Sequence, residues 1–126
     1  MTNAVTDETT SDLFPRRIGL LTGGGDAPGL NAVIRSVVRS ATFCGCTCLG
    51  IEESFNGLMS SGGSRILTLD DVVGLERIGG TILGTSSRGD PFAYPVDESS
   101  RLNDFSNDCF DKFKALELEA LVVVGG

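Results

Sequence analysis

The 126-residue sequence predicts an α/β fold, an open and mostly parallel sheet with flanking helices. Three observations carry this. Apolar runs at residues 18–21, 47–51 and 120–124 have the length of strands. An amphipathic helical series lies between the first two. Glycines close the first run (Gly23, Gly24, Gly25) and the last (Gly125, Gly126). A strand, a helix and a strand within about thirty residues make a βαβ unit, whose strands are parallel and whose crossover is right-handed.

Composition sets the bounds. The chain is long enough for one domain with a buried core. A formal net charge of −7 argues against nucleic acid and anionic membrane surfaces as partners. No apolar run approaches the ~18 residues of a membrane-spanning helix. The N-terminus lacks the basic and apolar regions of a secretory signal, so an intracellular, cytoplasmic protein is expected. There is no histidine, which removes Ser-His and Cys-His nucleophile pairs.

Residues 1–14 are rich in Thr, Ser, Asp and Glu without periodicity and read as a disordered tail. The domain is expected over residues 15–126. The first strand runs through Ile18, Leu20 and Leu21 into the three glycines. Pro28 suits the first turn of the helix that follows. Leu30, Val33, Ile34, Val37, Val38 and Ala41 form its buried face. A strand feeding a helix through glycines makes an anion site, because the first helical N–H groups lack partners and carry the positive end of the dipole. Pro28 breaks the G-x-G-x-x-G pattern, and Leu30 and Asn31 stand where a Walker A loop needs Lys and Ser or Thr. Asp26 either caps the helix, the preferred reading, or meets a phosphate through a cation.

Cys44, Cys46 and Cys48 alternate into the second strand, and Cys109 stands apart. Closely spaced thiolates bind soft metals. The spacing is not C-x-x-C, however, and alternation also fits small apolar side chains packed along a strand, the preferred reading. Glu52 and Glu53 end that strand as solvated carboxylates or, less well, as a ribose contact. In the loop at residues 52–63, Phe55 precedes Asn56-Gly57 and either stacks on a purine or anchors the loop. A short strand at residues 65–69 precedes a short helix capped by Asp70 and ending at Leu75. Then comes GGTILGTSSRGDPF, whose Arg88 is a second phosphate contact or a plain surface arginine. Asp97 is expected to cap a helix carrying Leu102, Phe105, Cys109, Phe113 and Leu116. A fully buried parallel strand at residues 120–124 follows.

The string LTGGGDAPGLNAVIR resembles the opening of the 6-phosphofructokinases, many of which carry a pattern of the type LT-(S/G)-GGD-x-PG-x-NA-x-IR. SFNGL is similar to their GY-x-GL, with Phe for Tyr and Ser for the first Gly. GGTILGTSSR is similar to their GGT-x-LG-x-(S/T)-x-R. The TSSRGDPF tail resembles the branch holding pyrophosphate-dependent and related ATP-dependent members.

The resemblance implies one half of a Rossmann-like phosphofructokinase fold. It implies transfer of a phosphoryl group from ATP, or alternatively pyrophosphate, to fructose 6-phosphate in glycolysis. Gly25, Phe55 and Arg88 are the implied donor contacts. Arg35 and Arg39, on the polar face of the first helix, are the implied effector contacts or simply a solvated basic face. The family's magnesium ligand and its catalytic aspartate belong to segments beyond Gly126, so no catalytic or metal residue is expected within this chain. It reads as the N-terminal part of a donor-binding domain from an enzyme that is a homo-oligomer at full length. The competing reading is a non-catalytic nucleotide-binding module.

Overall fold

The computed structural model describes residues 13–59, 62–99 and 101–125. Of the expected tail, only Leu13 and Phe14 fall among them, and both are exposed; the rest lies outside the described residues. The elements in order are β1 (Arg17–Gly23), α1 (Leu30–Phe43), β2 (Thr47–Ile51), β3 (Ser64–Leu67), β4 (Tyr94–Pro95), β5 (Leu102–Asn103), α2 (Ser106–Ala115) and β6 (Ala120–Gly125). Four strands form one sheet in the order β3-β2-β1-β6. β1 pairs in parallel with β2 and β6, and β2 pairs antiparallel with β3. The expected open, mostly parallel sheet is therefore present.

Side chains alternate across a strand, so Leu20 and Leu21 enter different cores. Leu20 joins Ile34 and Val38 of α1, with Cys48, Leu67 and Leu83. Leu21 joins Leu49, Ile51, Leu58, Cys109 of α2 and Leu118 on the other face. Strand β2 sits so close to the segment after β3 that Gly50 has no room for a side chain. A Cβ there would lie 2.9 Å from Leu67 Cδ1 and closer still to Leu83.

Several local expectations change. Pro28 lies before the helix rather than in its first turn; the cap is Gly29, with φ +94°. That left-handed value is one a residue without Cβ adopts readily. Val33 is 39% exposed, and buried Asn31 takes a place on the inward face instead. Loop 52–63 contains a 3-10 turn, Ser54–Leu58. The strand after it is Ser64–Leu67, and the expected helix after that is two 3-10 turns, Asp70–Val72 and Leu75–Arg77. Asp70 caps neither. Its neighbour Asp71 accepts from the N–H and hydroxyl of Thr68 at 2.7 and 2.9 Å. Those two bonds hold the Asp71 carboxyl below the usual range.

Asp97 caps no helix either. It turns onto Ser99, and Leu102 pairs with Pro95 in a two-stranded ribbon. Helical spacing misled here because two apolar residues, Leu102 and Phe105, fall in phase with the true helix. β6 is not fully buried: it is the sheet edge, and Val123 is 48% exposed. Its apolar run reflects contact on two faces at partial depth.

The cysteines split by position. Cys44 is exposed at the end of α1, Cys46 is buried just ahead of β2, and Cys48 is buried within it. All four are free thiols, and among the described residues no group of His, Cys, Asp or Glu is arranged to hold a metal ion. Burial, helped by the nearby Cys46, pushes the Cys48 thiol up to about 11 from an ordinary 9.0. The folded state then holds a proton that the unfolded chain releases. Stability is expected to be intact below pH 9 and to fall as pH rises toward 11. Equilibrium urea unfolding across that range checks this, and Cys48→Ala is expected to flatten the slope.

Candidate functional site

The strand order reverses at β1. The chain leaves β1 through α1 to reach β2 on one side, and later returns through α2 to place β6 on the other. In open α/β sheets, ligands bind outside the carboxyl ends of strands where the order switches. A cavity of about 650 Å³ lies at that point. Gly23 at the end of β1, Gly24 and Gly25 just after it, and Val123 and Gly125 from β6 line it together. Ser54 and Phe55 form another part of the wall, and Ser86, Ser87 and Gly89 a third. Aromatic residues of α2, Phe110 and Phe113, close one side.

The third wall belongs to the glycine-rich segment after the 3-10 turns, and buried polar groups hold it there. Asn31 at the start of α1 donates from Nδ2 to Ile78 O (3.0 Å) and Gly79 O (3.3 Å), and its Oδ1 accepts from Ile82 N–H (2.8 Å). Thr22, the last residue before the glycines, donates its hydroxyl to Gly84 O at 2.8 Å. That uses its single proton, so the 2.9 Å contact with Thr81 Oγ1 has Thr81 as donor. Thr81 Oγ1 in turn accepts from Leu83 N–H at 3.2 Å. Two further bonds cross directly between the loops: Gly24 N–H to Ser86 O (3.3 Å) and Thr85 Oγ1–H to Gly24 O (2.6 Å).

These bonds change how the glycine turn can work. Gly24 N–H is already engaged, so it does not take an anion. The cavity wall is made by the glycines, not by the first residues of α1, so the helix end is not what faces it. Gly25 is open, with nothing within 4 Å of where its Cβ would be. Asp26 does not cap α1, which has no side-chain cap; its carboxylate lies beside Gly80 instead.

The sequence-derived residues distribute unevenly. Gly25 and Phe55 share the cavity. Phe55 also packs against the lower core, so stacking wall and loop anchor are both open to it. Arg88 lines a neighbouring hollow of about 400 Å³ with Asp90, Asp97 and Glu98. Its backbone N–H bonds Ser86 Oγ at 3.2 Å, but Arg88 is not among the residues that line the larger cavity. Arg35 pairs with Glu76 at 3.2 Å, tying α1 to the Leu75–Arg77 turn. Arg39 is exposed beside Phe43 and Leu69. Glu52 pairs with Arg65 at 3.3 Å and is not among the residues lining the cavity. Sequence reasoning passed over Thr22, Asn31 and Ser54. The signal for Asn31 was a lone amide beside Leu30 on an otherwise apolar face.

A model of the family described as phosphofructokinase matches residues 17–126. The chain belongs to the phosphofructokinase family. It is 46% identical over 114 residues to an ATP-dependent 6-phosphofructokinase of Chloroflexus aggregans, covering 88% of this chain and 31% of that one. It is 42% identical over 110 residues to a pyrophosphate–fructose 6-phosphate 1-phosphotransferase of Dictyoglomus thermophilum, covering 87% and 29%. The structure aligns with the T-state crystal structure of Pichia pastoris phosphofructokinase at a TM-score of 0.74 and 34% identity, over 90% of this chain and 11% of that one. The chain thus spans under a third of the length of these curated relatives.

Replacing Thr22 by Val keeps the shape and strands Gly84 O and Thr81 Oγ1 without their partner. A loss of about 1–3 kcal/mol in unfolding free energy is expected, with most of it regained in Thr22→Ser. Urea denaturation of both variants measures it.

Proposed function

We propose that this chain forms the phosphoryl-donor side of a 6-phosphofructokinase, which moves the terminal phosphoryl group of ATP to the 1-hydroxyl of fructose 6-phosphate. The observation that supports this most directly is the open glycine turn at the sheet's switch point, facing Phe55 and the serines of the second glycine-rich segment across one cavity. In phosphoryl transfer the protein mainly positions groups and balances charge. The roles follow from position. Gly25 lets the donor's phosphates come up against backbone. Phe55 and the apolar wall take the flat base. Arg88, in the hollow beside the cavity and next in the chain to Ser87 of its wall, would turn toward the phosphate oxygens and meet them with its cationic fork. Arg35 and Arg39 belong to a separate effector face.

Magnesium is the metal this family implies. Among the described residues no group of carboxylates or thiols is arranged to hold one. The ATP reading is favoured over pyrophosphate by relatives of 44–46% identity that are ATP-dependent 6-phosphofructokinases, and it carries a cytoplasmic, glycolytic setting with it.

A chimera tests the proposal. Residues 17–126 replace the matched segment of the Chloroflexus aggregans enzyme, and turnover is followed with ATP and with pyrophosphate. Turnover with ATP is expected, and Arg88→Ala is expected to raise the KM for ATP about tenfold. A folded chimera that turns over only pyrophosphate overturns the donor assignment. One that turns over neither, while the 126-residue chain binds ATP in calorimetry, leaves a non-catalytic nucleotide-binding module.

A further inference from the structure

The CGC run at residues 44–46 has no part in the large cavity, and the fold gives its two thiols different surroundings. Helix α1 ends on it. Gly45 stands just past the helix with φ +72°. Its N–H bonds Thr42 O at 3.1 Å, and Cys46 N–H reaches back to Ala41 O at 2.8 Å. These two bonds form the Schellman ending of a helix, whose left-handed position suits glycine. Cys44, before the turn, is exposed; Cys46, after it, is buried.

The turn brings the two thiols to one place. Both line a hollow of about 350 Å³ along the last turns of α1, closed on another side by Phe14, Pro15 and Ile18. Across so tight a turn the flanking Cα atoms stay within the roughly 4–7 Å that a disulfide spans. Cys48 also lies two residues from Cys46. It sits inside the extended β2, however, is 2% exposed, and does not line this hollow. Cys109 belongs to the core on the other face of the sheet. Burial first, and the Glu119 carboxylate second, hold the Cys46 thiol above its ordinary range. Cys46 therefore keeps its proton at neutral pH, and Cys44 is the sulfur that meets solvent.

We infer that Cys44 and Cys46 form an oxidisable pair, a modification site at which hydrogen peroxide drives a disulfide across Gly45. The Cys44 thiolate attacks one peroxide oxygen and the O–O bond breaks; Cys44 becomes a sulfenic acid and water leaves. The Cys46 sulfur gives up its proton and attacks the sulfenic sulfur; the S–S bond forms, the S–O bond breaks and a second water leaves. One peroxide is reduced for each pair of thiols oxidised. The bridge lies beside Arg39, because Cys44 also lines the hollow shared by Arg39, Phe43 and Leu69.

Mass spectrometry tests this. The reduced 126-residue chain is treated with a small excess of hydrogen peroxide, its remaining thiols are alkylated, and the product is weighed and mapped. An intramolecular Cys44–Cys46 link is expected, with Cys48 and Cys109 left to alkylate and all four thiols recovered after dithiothreitol. Cys46→Ser is expected to stop at a sulfenic acid on Cys44, which dimedone traps. Cys44→Ser is expected to consume peroxide about tenfold more slowly. A disulfide that joins Cys48 or Cys109, or one that joins two chains, overturns the inference. So does oxidation of the wild type to sulfinic acid without a disulfide, or a chain whose four thiols all stay reduced.

Discussion

The arrangement depends on a short run of buried hydrogen bonds with one permitted direction. Leu83 N–H bonds Thr81, Thr81 bonds Thr22, and Thr22 bonds Gly84 O. Beside it, the Asn31 amide meets three backbone groups of the same segment. The segment has almost no regular structure of its own. Without these partners Gly84 O and the N–H groups of Ile82 and Leu83 would each lose a bond, at about 1–3 kcal/mol for each one left buried. Two polar side chains, one near the end of β1 and one at the start of α1, thus tie this loop to the sheet and the helix. The spacing of the two glycine-rich loops follows from that anchorage.

Much of this was legible in the residues, and what was not has definite causes. The alternation of Leu20 and Leu21 and the glycines after them marked β1 and its turn. The helical phase of Leu30, Ile34, Val38 and Ala41 marked α1. Those signals are local and periodic. The helix before β6 was placed too early because Leu102 and Phe105 fell in phase by coincidence, while the pairing of Leu102 with Pro95 depends on partners no window can see. Asp26, Asp70 and Asp97 all looked like caps. Each carboxylate instead went elsewhere or to a turn of its own, since a cap depends on the chain's entry angle as much as on residue type. β6 is apolar throughout, and among the described residues only its β1 side is paired, which leaves it partly exposed.

The site was half legible. Gly25 and Phe55 do share one cavity, and the second glycine-rich segment does face the first. The expected use of the helix end was not what the geometry offers, because six residues separate Gly23, the end of β1, from Leu30, the start of α1, and Gly24 has spent its N–H on Ser86. The polar residues that build the site were illegible for a simple reason. Threonine, asparagine and serine carry no periodic signal, and their partners are dozens of positions away.

The bare position at Gly50 has a reach beyond packing. Leu83 occupies the volume that a side chain at residue 50 would need, and Leu83 also begins the run of bonds through Thr81. Bulk at these two positions is therefore a shared quantity. A lineage that enlarged residue 50 would have to shrink residue 83 in step, and in doing so would slacken the loop whose placement defines the cavity. Drift at an inconspicuous glycine in the second strand is thereby tied to the shape of the cavity, although that glycine is not among the residues that line it.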